Sequence, residues 1–327
     1  MFASMLGCGP EIPATWQIVD ILDLGMQVEV EELGPLGDPG DPMGRHFHDA
    51  MPLDRVRASI MVADLSGPVP PEELAFAWYM CPGTACATDL PPDPCPEDGL
   101  RLTQECTLGI HGEARFSFAD FETLDEALAL ATGTVTLRAV GGLRSDGGAE
   151  ACLERIERSV DLGACLIVET YYPLGSLGEV LDLAESRGFA EPDDAIPDTA
   201  RQFPRNRVPE VEALELTRDS GLSETVLPGA TVSARVGETL TFAWDPGPAD
   251  REEVTIVGTD GTALEYIDPL VATWWTTQRA EAFDFVPATP RVRWVVGADE
   301  GTFPLYVVVT DGANANGWAS LDVEVTK

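Results

Sequence analysis

Chemistry in this chain could come first from its seven cysteines: Cys8, Cys81, Cys86, Cys95, Cys106, Cys152 and Cys165. Four of them crowd one loop-rich stretch, CPGTACATDLPPDPCPEDGLRLTQEC. Four clustered thiolates could hold a tetrahedral zinc ion. The spacing lacks the paired CxxC knuckles of such sites, and the ProPro and AspPro steps between the cysteines suit a stapled loop, so disulfides are the expectation. With Cys152 bonded locally to Cys165, the other four still allow three connectivities, and sequence does not choose among them. The nested one, Cys81 with Cys106 and Cys86 with Cys95, is the working expectation. Three bridges would place the chain in an oxidising compartment outside the cytoplasm.

Histidine offers less. ArgHisPheHisAsp brings His46, His48 and Asp49 together, and an HxH in an extended loop turns both imidazoles to one side. Further ligands must come from elsewhere, and His111 is the only other histidine, so a solvated loop is expected. No GxSxG elbow presents a nucleophile for a Ser-His-Asp triad, and the chain is expected to be non-catalytic. Calcium is the one cofactor the carboxylates could take. Asp299, Glu300 and Asp311 flank one stretch that reads as a strand, and Asp245 and Asp250 bracket a loop, although no DxDxDG loop is present. Two aromatic pairs, Tyr171-Tyr172 and Trp274-Trp275, complete the candidates. Strand neighbours point to opposite faces, so one member of each pair should be buried and the other exposed or covered by a neighbouring segment. An exposed member could stack on a sugar ring or anchor a partner.

Composition narrows the function classes. Against 20 Lys plus Arg stand 56 Asp plus Glu, a net charge of −36 that repels phosphate backbones and excludes nucleic acid as a partner. The only lysine is Lys327, which removes a phosphate-loop GK[ST], an SxxK pair and an internal Schiff-base lysine. No run of about 18 apolar residues occurs that could cross a bilayer as a helix. A chain of 327 residues, 44% hydrophobic, is long enough for two domains, each with its own core.

The elements that would position these residues are mainly strands. Leu24, Met26, Val28 and Val30 share one face of a first strand while Gln27, Glu29 and Glu31 share the other. DRVRASIMVAD turns Val56, Ala58, Ile60 and Val62 inward, and ELAFAWYMC puts Phe76, Trp78 and Met80 on one face ahead of Cys81. Helical spacing is confined to about 122–188. Thr123 and Glu126 form a capping box, Cys152, Leu153, Ile156 and Val160 a stripe, and Ser176 and Gly188 bracket a third helix. Residues 191–209 are rich in proline and lack periodicity, as a linker should. From 210 to 327, GETLTFAW, GTFPLYVVVTDG and GWASLDVEV head a set of about seven alternating strands. The expected organisation is a tether over 1–15, a cysteine-rich sandwich over 16–190 with a helical insertion, the linker over 191–209, and a second sandwich over 210–327.

Three local patterns carry a family resemblance. AspGluGlyThrPhe, residues 299–303, is similar to the D-x-G-x-Y corner of immunoglobulin-like domains, with Phe303 in the tyrosine place and Leu305 where an intersheet cysteine would stand. The continuation LYVVVTDG…GWASLDVEV resembles the last two strands of polycystic-kidney-disease and cadherin-like modules. MetLeuGlyCys, residues 5–8, resembles the lipobox of bacterial lipoproteins, in which the cysteine is acylated. As a whole the chain looks like a surface lipoprotein of a GC-rich Gram-negative bacterium. The resemblance implies two immunoglobulin-like β-sandwiches, a lipid anchor at Cys8, a place on the outer membrane or cell surface, and a non-catalytic binding, adhesion or scaffold role toward an envelope protein or glycan. A carbohydrate-binding or hydrolytic envelope protein and a structural subunit of a larger extracellular assembly are the alternative readings.

Overall fold

A computed structural model describes residues 17–18, 20–34, 50–83, 86, 93–102, 104–158, 160–173, 177–189, 206–246, 253–257, 263–267, 270–285, 289–312 and 314–327. The chain is mainly β, arranged as two sandwich-like regions.

In the first region one sheet is built from β1 (Leu22–Glu32), β2 (Arg55–Asp64) and β3 (Gly67–Pro68). The second sheet contains β4 (Leu74–Pro82) and β5 (Cys106–His111), while β6 (Glu113–Ser117) returns to pair with β2 in the first. β7 (Thr134–Leu143) and β8 (Leu166–Pro173) complete the second sheet in the order β5-β4-β7-β8. The alternation read from sequence is what fills the space between them. Met26, Val28 and Val30 of β1 and Val56, Ala58, Ile60 and Val62 of β2 meet Phe76, Trp78 and Met80 of β4 in one core.

Among the described residues three α-helices finish this region. In α1 (Leu124–Thr132) the Thr123 hydroxyl accepts the Glu126 backbone N–H at 3.2 Å, satisfying one of the free N–H groups at the helix start, and the Glu126 carboxylate reaches back to accept the N–H of Glu122, the residue before the cap, at 2.7 Å. α3 (Leu177–Ser186) lies against α1, and Ala127, Leu130, Val180 and Ala184 from the two close one end of the core. α2 (Gly148–Glu157) instead covers the back of β4 and β7. Its approach depends on Gly148, whose φ is +57° and where a Cβ would stand 2.7 Å from that of Ala75. The helices therefore alternate with β7 and β8, and the stretch expected as an insertion supplies half of the second sheet. β4 is buried on both faces, with Ala77, Tyr79 and Cys81 meeting Ala149 and Cys152 in a second small core. Ser176, the expected N-cap of α3, lies outside the described residues.

The second region holds eleven strands among the described residues where about seven were expected. One sheet runs β10 (Ser223–Val226), β9 (Leu214–Arg218), β12 (Thr239–Ala243), β17 (Arg291–Val295), β16 (Ala282–Phe285). The other runs β11 (Thr231–Arg235), β19 (Asn316–Thr326), β18 (Gly301–Thr310), β15 (Val271–Thr276), and β13 (Glu253–Val257) and β14 (Ala263–Ile267) form a separate hairpin. Leu240, Phe242 and Trp294 from the first sheet interleave with Trp274, Leu305, Val307, Leu321 and Val323 from the second. Phe303, expected at a corner, is half-buried against this core.

The two regions are packed together. Leu24, Met61 and Ala63, with Ile18, meet Tyr306 and Val308 in a shared apolar cluster edged by Leu22 and Trp275. Polar contacts lock it: Ile18 N–H donates to the Thr276 carbonyl at 2.9 Å, and the Asn316 side-chain amide donates to the Met26 carbonyl at 2.7 Å. The described end of the expected linker is also fixed, since Asn206 donates to the Asp311 carboxylate at 2.9 Å and Val208 is buried.

Candidate functional site

The cysteines pair in sequence order: Cys81 with Cys86, Cys95 with Cys106, and Cys152 with Cys165, at Cα separations of 5.0, 4.8 and 5.6 Å. The nested pairing is thus corrected, and strand geometry gives the reason. Met80 is the register partner of Cys106 across β4 and β5, so Cys81, one residue on, points through the opposite face of the sheet. Cys81 lies in the layer under α2, whereas Cys106 lies in the main core. Gly83, at φ +78°, turns the chain just beyond Cys81, and Cys86 packs in the same layer. Cys95 is drawn to Cys106 by backbone bonds, its N–H donating to the Thr107 carbonyl at 2.9 Å and the Thr107 N–H donating to the Asp93 carbonyl at 2.8 Å. The 93–100 segment thereby covers two sheet edges, since Leu100 also bonds to Ser117 and Ala119 beside β6.

The carboxylates expected to hold calcium do not converge. Asp299 and Glu300 precede β18 and Asp311 follows it; a ten-residue strand separates its ends by about 30 Å. Glu300 pairs with Lys327 at 2.7 Å. The Asp311 carboxylate accepts the Ala315 N–H at 2.8 Å and the Asn206 amide, so it caps a turn. No group of three or more potential metal ligands occurs among the described residues. His46, His48, Asp49 and Asp250, like Cys8, lie outside them. Of His111 the backbone carbonyl is engaged, accepting the Trp78 indole N–H at 3.1 Å.

The aromatic pairs split by face. Tyr172 is buried, stacked on Phe118 with ring centroids 6.2 Å apart, while Tyr171 is 48% exposed. Trp274 is buried in the second core, and Trp275 is half-buried at the junction of the two regions. Neither tryptophan of that pair offers a free platform. Trp318 does: it alternates outward from Gly317 and Ala319 on β19 and is 36% exposed. The alternation of GWASLDVEV was legible, but the neighbour that leaves one edge of this indole open was not.

Trp318 stands in a cleft of about 270 Å³ between the regions, with Gln27 and Glu29 on β1 and Glu210 and Glu212 on the segment entering β9. Gly317 makes that wall possible, because a Cβ there would fall 1.7 Å from the Pro209 carbonyl oxygen. Glu29 is buried and paired with Arg57, part of a ladder in which Arg115 is bidentate to Glu31 and Arg55 reaches Glu32. Hydrogen bonding from Arg115 holds the Glu31 carboxyl below its ordinary range. A larger cavity of about 540 Å³ lies beneath the Cys95–Cys106 loop, and its two guanidiniums, Arg55 and Arg115, are engaged by this same ladder.

No protein-family model matches the chain, and no curated protein matches it. Among solved structures, it aligns with a nucleoside hydrolase-related hypothetical protein from Saccharophagus degradans associated with carbohydrate metabolism, at 12% identity over 35% of this chain and 25% of that one, with a TM-score of 0.21. It also aligns with dimeric latent PorU from Porphyromonas gingivalis, at 13% identity over 92% of this chain and 24% of that one, with a TM-score of 0.17. The chain spans about a quarter of the length of each.

Proposed function

We propose that this chain is a non-catalytic binding or scaffold module of the cell envelope, built from two immunoglobulin-like sandwiches and tethered through an acylated Cys8. The observation that carries the reading is the set of three disulfides in the first region, each at ordinary Cα spacing. Such bonds persist in oxidising compartments. The junction supports it further: two sandwiches joined by a buried apolar cluster and backbone hydrogen bonds present one stiff platform. A strongly acidic surface keeps that platform soluble and away from anionic polymers.

The test is fractionation of cells expressing the full-length protein from its own gene, followed by crosslinking and co-purification from the membrane fraction. Recovery with the envelope, a lipid-modified peptide containing Cys8, and a reproducible envelope partner are expected. Recovery in the cytoplasm with reduced cysteines would contradict the reading.

A further inference from the structure

We infer that the junction cleft around Trp318 is a binding site for a neutral saccharide, an inference that rests on the binding-module reading and names its ligand. Three observations bear on the ligand class. An indole stands half-open to the cleft on a strand whose neighbouring side chains are buried, and a partly exposed tryptophan offers an apolar face on which the C–H face of a sugar ring can stack. The polar residues lining the space are Gln27, Glu29, Glu210 and Glu212; the Gln27 amide donates to the Glu29 carboxylate at 3.5 Å, and its second N–H together with the carboxylates suits a partner bearing hydroxyls. Among the described residues no lysine or arginine lines the cleft, which disfavours phosphorylated, sulfated or uronic ligands.

Cationic ligands are the competing class, because Glu210 and Glu212 keep the cleft acidic; the Glu29 carboxylate is already paired with Arg57, and a single indole does not make the cage that quaternary ammonium groups require. The walls are also pre-formed. Pro209 is seated against Gly317 by the missing Cβ, Val208 and Val211 are buried, and Pro228 closes one side. A ligand entering this space orders little of the protein, which favours binding of a small, rigid ring. Because the cleft lies between β1 of the first region and β19 of the second, the junction itself assembles the site.

The experiment is saturation-transfer NMR and calorimetry on the full chain with maltotriose, cellotriose, laminaritriose and chitotriose as probes, and an arginine-rich peptide and choline as cationic comparators. At least one neutral trisaccharide is expected to bind in the high micromolar to millimolar range, with affinity reduced about tenfold in Trp318→Ala. Because Trp318→Ala could loosen the junction, Trp318→Phe and Glu212→Gln are measured beside it. Phenylalanine should restore part of the affinity, and Glu212→Gln should weaken it with an unchanged melting temperature. Absence of binding to all four sugars overturns the proposal, as does equal binding by wild type and Trp318→Ala, or Trp318-dependent capture of the cationic probes alone. A protein that fractionates with the envelope and finds a partner there, yet binds no sugar, overturns the saccharide and leaves the module reading standing; a reduced cytoplasmic protein overturns the module.

Discussion

The two regions solve the same problem, how to bury a sheet, by different means. In the first, the central strand β4 is apolar on both faces and needs a second cover, which α2 supplies from behind, while disulfides tie the middle of α2 to the start of β8 and fix the loop that protects two sheet edges. The cysteine-free second region sets large aromatic residues, Phe242, Trp274 and Trp294, between two sheets, and its own doubly buried strand, β18, is covered from behind by β1 and β2 of the first region. Where a covalent clip is missing, a buried glutamine stands in. The Gln278 side-chain oxygen accepts the Trp294 indole N–H and the Gly297 N–H, both at 3.1 Å, and its amide donates to the Asp299 carbonyl at 3.1 Å. The difference teaches that the disulfides sit where the chain leaves the sheets, at the connections after β4 and β7, whereas the second region, most of whose strands are four to six residues long, holds without them.

Breaking the covalent side of this contrast should have the largest effect. Replacing Cys95 and Cys106 together by serine is expected to cost about 2–4 kcal/mol in the first region. Calorimetry should show that region melting earlier while the second holds; an unchanged first transition would remove the disulfides from the account. On the other side, Gln278→Ala strips the acceptor from two buried donors and should cost roughly 2–4 kcal/mol by urea unfolding, with the second region affected first.

The junction gives smaller effects that sharpen the comparison. Asn316→Ala removes the amide that reaches the Met26 carbonyl and should cost about 1–2 kcal/mol, visible as a separation of the two unfolding transitions. Tyr306 is buried at the same place with no hydrogen-bond partner for its hydroxyl, and burial, reinforced by Asp64 and Asp322, raises its pKa above the ordinary 10.0. The folded state therefore holds the phenolic proton more tightly than the unfolded chain, so stability falls as pH rises beyond about 10. Tyr306→Phe should be neutral or slightly stabilising at pH 7 and should flatten that alkaline loss in a series of thermal melts. Burial also raises the pKa of Asp23 from its ordinary 3.8, although its backbone hydrogen bond works the other way. The ionised form costs stability once pH has risen through 3.8 to the higher folded value, so Asp23→Asn should stabilise at neutral pH and make little difference at about pH 3. A stabilisation that is equal at both pH values would argue against that origin.

Much of the strand pattern could be read from the chain because alternation reports which face meets the core. Leu24 to Val30, Val56 to Val62 and Leu240 to Trp244 all bury the residues their period selects. Composition and spacing could not report what lies behind a sheet. The second cover on β4 depends on Ala75, Ala77 and Gly148 being small enough for α2 to approach, a property that emerges only when the two elements meet. The disulfide pairing failed for a related reason, since the loop lengths permit nesting and only the register of Met80 with Cys106 excludes it. The calcium expectation treated residues at opposite ends of a strand as neighbours. For the cleft, the sequence singled out the doubled tryptophans, while the exposed one was the single Trp318, whose surroundings come from three distant segments.

The central claim is that this is an oxidised module working outside the cytoplasm, and the direct measurement is a non-reduced peptide mass map of the protein isolated from its native membrane fraction. The account predicts three linked pairs, Cys81–Cys86, Cys95–Cys106 and Cys152–Cys165, together with an acylated peptide containing Cys8. Six free thiols and an unmodified Cys8 would contradict it.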